Sequence, residues 1–224
     1  MRLLHFNDLP QGGFAGLKER QLVIDPKINR GRVHPTAASG IGNFVYLADA
    51  NFMPKGETGM HPHREVDVIS VMVDGRISHA GSLEHGRQLD AGSVQVQRAG
   101  GEGFSHNEIN PDNEENNMIQ LWVLPQQQGE KAGYKIYQPQ AGQRTRIYGG
   151  SGGQTDTFAS DTLIDIARPL AGEQLEYKGK VMAYIVQGSA SFNGQRVKPR
   201  TLVRSDGLTI KAQSDSKIIL IYVR

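Results

Sequence analysis

The chain contains no cysteine, which excludes disulfides, thiolate metal sites and a cysteine nucleophile together. Any metal it holds must be bound through nitrogen and oxygen. Long hydrophobic runs are also missing. None approaches the roughly 20 apolar residues that cross a bilayer, and "MRLLHFNDLPQGG" at the N-terminus has too short an apolar stretch for a secretory signal. The cytoplasm is therefore the expected location, with no membrane partner. Nor is there a surplus of one charge: 25 lysines and arginines stand against 23 aspartates and glutamates. No strong field draws such a chain onto nucleic acid, which is not an expected partner. Finally, all seven histidines lie at or before His106, so the second half has none.

Amphipathic helical periodicity is hardly visible. What the chain has instead is glycine, 27 residues of it, and short apolar runs broken by Gly, Asp, Asn and Pro. That is the pattern of many short strands joined by turns. Runs beginning at Asn43, Val66, Ser93, Asn117, Val181, Thr201 and Ser216 are expected strands, several alternating as strands with one buried face must. "VMVDGRISH" and "SFNGQRV" are expected hairpins, because Asp-Gly and Asn-Gly supply the positive φ of a tight turn. The fold class is all-β with few short helices.

An internal repeat of roughly one hundred residues is suggested by "ISVMVDGRISHAG" and "MAYIVQGSASFNG". Each is a buried strand, a glycine turn and a returning strand. Downstream, "LDAGSVQVQRAGG" parallels "VKPRTLVRSDGL". Two β-sandwich or barrel domains follow, 1–127 and 128–224, with the boundary in the polar "PQQQGEKAG". Sliding one half onto the other by the Gly75-to-Gly188 offset puts Gln174 and Glu176 where the first half has His61 and His63. A metal site would then belong to the N-terminal domain alone.

The candidate site begins in "GMHPHREVD", residues 59–67. Seven histidines in a chain of this length give about 0.2 His-x-His pairs by chance, so the pair alone is weak evidence. Pro62 pushes His61 to extended angles, and on an extended segment residues two apart share a face. His61 and His63 can then converge on one ion. A second pair of the same spacing, His106 and Glu108, follows the glycines of "AGGEGFSHNE". On antiparallel neighbours two such pairs can share a cation. Three imidazoles and a carboxylate suit one divalent ion: Fe(II), Mn, Co, Ni, Cu or Zn. Four protein ligands on an octahedral ion leave two positions for water, substrate or O2.

These motifs resemble those of the pirins, a branch of the cupin superfamily. Cupins carry a glycine-led His-x-His followed by an acid, and a later glycine-rich turn ending in histidine. The pirin form has His-Pro-His-Arg, a His-x-Glu that supplies the last two ligands, and a strand containing Gln-Leu-Trp. Here "HPHR" stands at 61–64, "HNE" at 106–108 and "QLWV" at 120–123, in that order. Asp67 stands where the family usually has glutamate, at a position outside the four ligands. The resemblance implies a bicupin whose C-terminal domain has lost its metal, and iron as the metal. Some pirins open the flavonol quercetin with dioxygen, and others act as regulators of protein partners.

Two functions follow as expectations. One is a quercetin 2,3-dioxygenase-type enzyme, in which a flavonol-like substrate meets the metal through its 3-hydroxyl, Glu108 is ligand and catalytic base, and carbon monoxide leaves after O2 attack. The other is a non-enzymatic, metal-dependent protein that binds a protein partner. A non-oxidative isomerase or sugar-binding cupin ranks below both. Blander roles stay open elsewhere. Arg64, Glu65 and Asp67 orient the imidazoles or form an exposed charge cluster. Trp122, Phe104, Phe52 and Met60 wall a pocket or are plain core. Lys27, Arg30 and Arg32 greet an anionic partner or sit on a solvated loop. His5, His34, His79 and His85 have no partner pattern and are expected to be solvated or locally hydrogen-bonded.

Overall fold

The computed structural model describes residues 1–224. Apart from one turn of 3-10 helix at Phe6–Asp8, every regular element is a strand. The first eleven are β1 (Arg2–His5), β2 (Leu17–Ile24), β3 (Phe44–Phe52), β4 (His61–His63), β5 (Asp67–Asp74), β6 (Arg76–Gly81), β7 (Gln88–Asp90), β8 (Val94–Arg98), β9 (Phe104–Ile109), β10 (Asn116–Val123) and β11 (Gly133–Tyr137). The others are β12 (Arg144–Gly150), β13 (Ser160–Ala167), β14 (Gln174–Gln187), β15 (Ala190–Phe192), β16 (Gln195–Val197), β17 (Thr201–Ala212) and β18 (Lys217–Val223). The expected all-β class is what the chain adopts.

The strands form two compact units. One is Leu9–Gln138, and the other joins Met1–Asp8 to Pro139–Arg224. The division thus falls at Gln138 rather than at residue 127. The polar segment 125–133 is not a linker, because the chain returns from it as β11 to the edge of the N-terminal unit, Tyr134 opposite Gln97. The first residues go the other way: β1 pairs with β17, Arg2 opposite Arg204. This carries His5 into the C-terminal unit, where its Nδ1 accepts the Asn7 amide at 3.1 Å.

In the N-terminal unit a six-stranded sheet runs β11-β8-β5-β10-β3-β2 and a four-stranded sheet runs β4-β9-β6-β7. Phe52, Met72 and Met118 of the first pack with Ile77 and Leu89 of the second in one buried cluster. Removing Phe52, fully buried there, costs about 3–5 kcal/mol. Strand β2 was not apparent in the sequence, for a physical reason. Its burial does not alternate, and its pairing with β3 shifts register between Gln21 and Val23, as a bulge does.

In the C-terminal unit the sheet order is β12-β13-β18-β14-β17-β15-β16, with β1 also on β17. Its core gathers Ala183 and Ile185 of β14, Val203 of β17, Leu220 of β18 and Phe192 of β15. The β15–β16 turn is closed by Asn193 and Gly194, at φ of 48° and 79°, as a type I′ hairpin requires.

Candidate metal centre

Strand β4 is only His61-Pro62-His63, and Glu65 at a φ of 54° separates it from β5. It pairs antiparallel with β9, His61 opposite His106 and His63 opposite Phe104. Along β9 the burial alternates, so Phe104, His106 and Glu108 share the inner face. Glu108 lies beyond the end of β4, where its amide donates to Thr58 Oγ1 at 3.0 Å. The close approach of the strands depends on Gly103, which has a φ of 74°, and a Cβ there would stand 2.8 Å from the His63 carbonyl oxygen.

This register brings three imidazoles together. His106 Nε2 lies 3.0 Å from His61 Nε2 and 3.1 Å from His63 Nε2, and one nitrogen from each ring falls within 4.8 Å of the others. Two of the tautomers follow from their partners. His61 Nδ1 is 2.8 Å from the Gly59 carbonyl, which only accepts, so Nδ1 carries the proton. His106 Nδ1 meets Gln97 Oε1 at 3.1 Å, and Gln97 Nε2 meets His79 Nε2 at 3.1 Å. His79 Nδ1 faces the Glu84 carbonyl at 3.4 Å. With His79 accepting through Nε2, the Gln97 amide donates to it and turns its oxygen to His106, whose proton is therefore on Nδ1. His61 and His106 thus aim Nε2 lone pairs at each other across 3.0 Å. No hydrogen bond can form there, and a cation satisfies both. Burial, and then the neighbouring imidazoles, lower His106 to about 2, and burial with the charge of His61 lowers His63 to about 4. The low values of His63 and His106 disfavour a proton between those two rings, and the donor set fits a divalent metal of the nitrogen-preferring kind.

Glu108 is placed differently. Its Oε1 accepts from Ser70 Oγ at 2.7 Å and from Gln95 Nε2 at 3.1 Å. Burial outweighs these bonds and raises its carboxyl to about 7. It is not one of the three converging groups, but it lines the same cleft of about 400 Å³. Across that cleft Tyr46 stacks on Trp122 with ring centroids 4.5 Å apart, and Trp122 meets His63 edge-on at 5.8 Å. Glu19 of β2 also lines it, accepting from Gln21 Nε2 at 2.8 Å and Tyr46 Oη at 3.2 Å.

The remaining expectations divide. Trp122 walls the cleft, whereas Phe52 is core, Met60 is exposed, and Phe104 packs against the His63 and His106 rings from outside the lining. Gly59 and Gln97 orient the His61 and His106 rings, while Glu65 accepts the Gly129 amide at 3.0 Å and Asp67 is buried. His34 and His85 accept the Ala37 and Gly81 amides, as local histidines would. His79 does not behave so: it is buried and holds Gln97 in place. Gln97, Ser70 and Gln95 were missed as well. Their signal was present, because a polar residue inside a run such as "VISVMV" or "VQVQ" has no water to turn to and must have a buried partner.

A sequence profile described as Pirin matches residues 30–123. A Pseudomonas aeruginosa protein named "Putative quercetin 2,3-dioxygenase" is 33% identical over 177 residues, covering 73% of this chain and 75% of its own. A pirin-like protein of Caulobacter vibrioides is 30% identical over 181 residues, 72% of this chain and 75% of the relative. Among solved structures, a bacterial pirin of Escherichia coli in complex with nickel(II) superimposes with a TM-score of 0.82 at 19% identity, over 98% of this chain and 97% of that one. No helix is long and apolar enough to cross a membrane.

Proposed function

The chain belongs to the pirin family of cupins, and we propose that it binds one divalent ion, Fe(II) in the cell, through His61, His63, His106 and Glu108 and acts as a dioxygenase on a flavonol-like substrate. The observation that carries this reading is the pair of imidazole lone pairs facing each other across 3.0 Å. The substrate class is taken from the name of the Pseudomonas relative, and a metal-bound relative is known in the nickel(II) pirin. When bound, the ion supplies a Lewis acid that lowers the pKa of a substrate hydroxyl and an electron relay to dioxygen.

The side chains do the rest. His61 and His106 are held as ligands by Gly59 and Gln97, so their rings are oriented before anything binds. Glu108 receives the proton of the substrate hydroxyl. With Oε1 engaged by Ser70 and Gln95, Oε2 is the oxygen left to face the ion and the substrate hydroxyl. Trp122 and Tyr46 offer flat faces against which an aromatic ring packs, and they keep water from the reacting atoms.

The test is elemental analysis and oxygen uptake on protein purified without a histidine tag. The expected result is about one metal per chain in the wild type and near none in His61→Ala, with oxygen consumed as quercetin is lost. Metal without oxygen uptake, while an authentic quercetinase reacts in the same assay, sinks the dioxygenase. Metal content unchanged by His61→Ala sinks the site.

A further inference from the structure

The C-terminal unit holds a second cleft, unrelated to the histidines. It is lined by Arg168, Gln187, Ser216 and Lys217, has exposed Asp215 at its rim, and opens to solvent. Lys217 opens β18 and is only 6% exposed. Lysine is almost never buried to this degree unless it is paired, yet no carboxylate or carbonyl oxygen bonds its ammonium. Two of the nearby polar atoms are engaged elsewhere. Asp215 Oδ1 accepts the Ala171 amide at 3.0 Å, and Ser216 Oγ donates to the Ser214 carbonyl at 2.8 Å. Arg168 is fixed by one arm, its Nη1 donating to the Pro139 carbonyl at 2.8 Å.

We propose that this cleft binds a small oxyanion, a phosphate or a carboxylate, between the Lys217 ammonium and the Arg168 guanidinium. Burial, and then the charge of Arg168, lower Lys217 to about 8, so two cations repel across the cleft when nothing lies between them. An anion there turns the repulsion into two ion pairs, and a guanidinium with one arm anchored presents its remaining donors in the planar fork that matches such oxygens. The site is independent of the metal centre, since every residue lining it belongs to the C-terminal unit.

The experiment titrates inorganic phosphate, and separately acetate, into the full-length protein at pH 7, by calorimetry and by thermal melting. At least one anion is expected to bind in the millimolar range or tighter and to raise the melting temperature. Lys217→Met and Arg168→Gln are each expected to weaken it about tenfold or more, and His61→Ala is expected to leave it unchanged. Without anion, Lys217→Met is expected to melt at or above the wild type, because an unpaired buried charge has been removed. Binding of phosphate alone identifies a phosphate ligand, and binding of acetate alone a carboxylate. Silence from both anions at 20 mM overturns the proposal, and so does undiminished binding in Arg168→Gln, which carries the test even if Lys217→Met fails to fold.

Discussion

The two units build the same strand framework and fill it oppositely. In the N-terminal unit His61 pairs with His106 and His79 with Glu108, and in the C-terminal unit Tyr177 pairs with Leu208 and Phe192 with Ile210. Ser70 lies between Gln95 and Gln120 on the neighbouring strands, and Ala183 between Val203 and Leu220. These polar residues, though not Gln97, therefore face aliphatic or aromatic counterparts, and Tyr177, Leu208, Ile210, Phe192, Ala183, Val203 and Leu220 all belong to one core cluster. The framework needs a filled interior, not a polar one. The histidines, Glu108 and the amides that orient them put polarity into an interior where leucine, isoleucine and valine serve the fold better. The constant sequence offset had assigned Gln174 and Glu176 to the places of His61 and His63. Those two are exposed and bond each other at 2.8 Å. The offset fails because β14 runs through its register irregularity between Tyr177 and Lys180, whereas the N-terminal unit breaks there into β4 and β5.

The comparison breaks most sharply if the polar residues are moved alone. Leu208→His together with Ile210→Glu writes the metal strand into the C-terminal unit without its supporting amides. It is expected to cost on the order of 4 kcal/mol, seen as a fall in the urea midpoint, and a midpoint within error of wild type would mean that the two interiors are interchangeable. In the N-terminal unit the cost of polarity depends on pH. Glu108 titrates near 7 in the folded chain against an ordinary 4.5, so between those values the folded state holds a proton the unfolded chain has lost. Stability of metal-stripped protein should therefore fall by about 3 kcal/mol from this group as pH rises from 4.5 to 7. His63 acts in the reverse sense between 6.5 and about 4, where the unfolded chain binds more protons and stability rises with pH. Glu108→Gln removes only the falling component, and melting curves that keep it would refute the assignment.

A smaller effect sharpens the comparison at Gln97, whose register counterpart is Ser205, since Val68 and Val181 face them in turn. Gln97→Ser unties His106 from His79 and should weaken metal binding about tenfold to a hundredfold, measured by chelator competition. Unchanged affinity would show that the orienting bond is idle. Smallest of all is the difference between two turn glycines, of which Gly194 closes a hairpin and Gly75 does not close the expected one, because β5 and β6 lie in different sheets. Gly194→Ala meets open space and carries only the left-handed strain of roughly 1 kcal/mol. Gly75→Ala adds a contact of 2.7 Å with the Asn116 Cβ and should lose more in the same thermal melts. Equal losses would show that Asn116 yields freely.

Spacing and alternation are local properties, and whatever depends on them was legible in the sequence. The short strands, the Asn-Gly hairpin, the shared face of His61 and His63 imposed by extended backbone at Pro62, and the shared face of His106 and Glu108 on β9 all follow from neighbours along the chain. Tertiary structure alone decided the partners. That His61 faces His106, that Glu108 reaches past β4 to Ser70 and Gln95, that His79 acts through Gln97, and that β1 leaves its sequence neighbours for β17 all depend on pairings between strands distant in sequence. Period-2 alternation fixes which face a side chain takes but not which strand lies beside it. Long-range register, chosen by packing of the whole sheet, turned four candidate ligands into three converging nitrogens with a buried acid beside them.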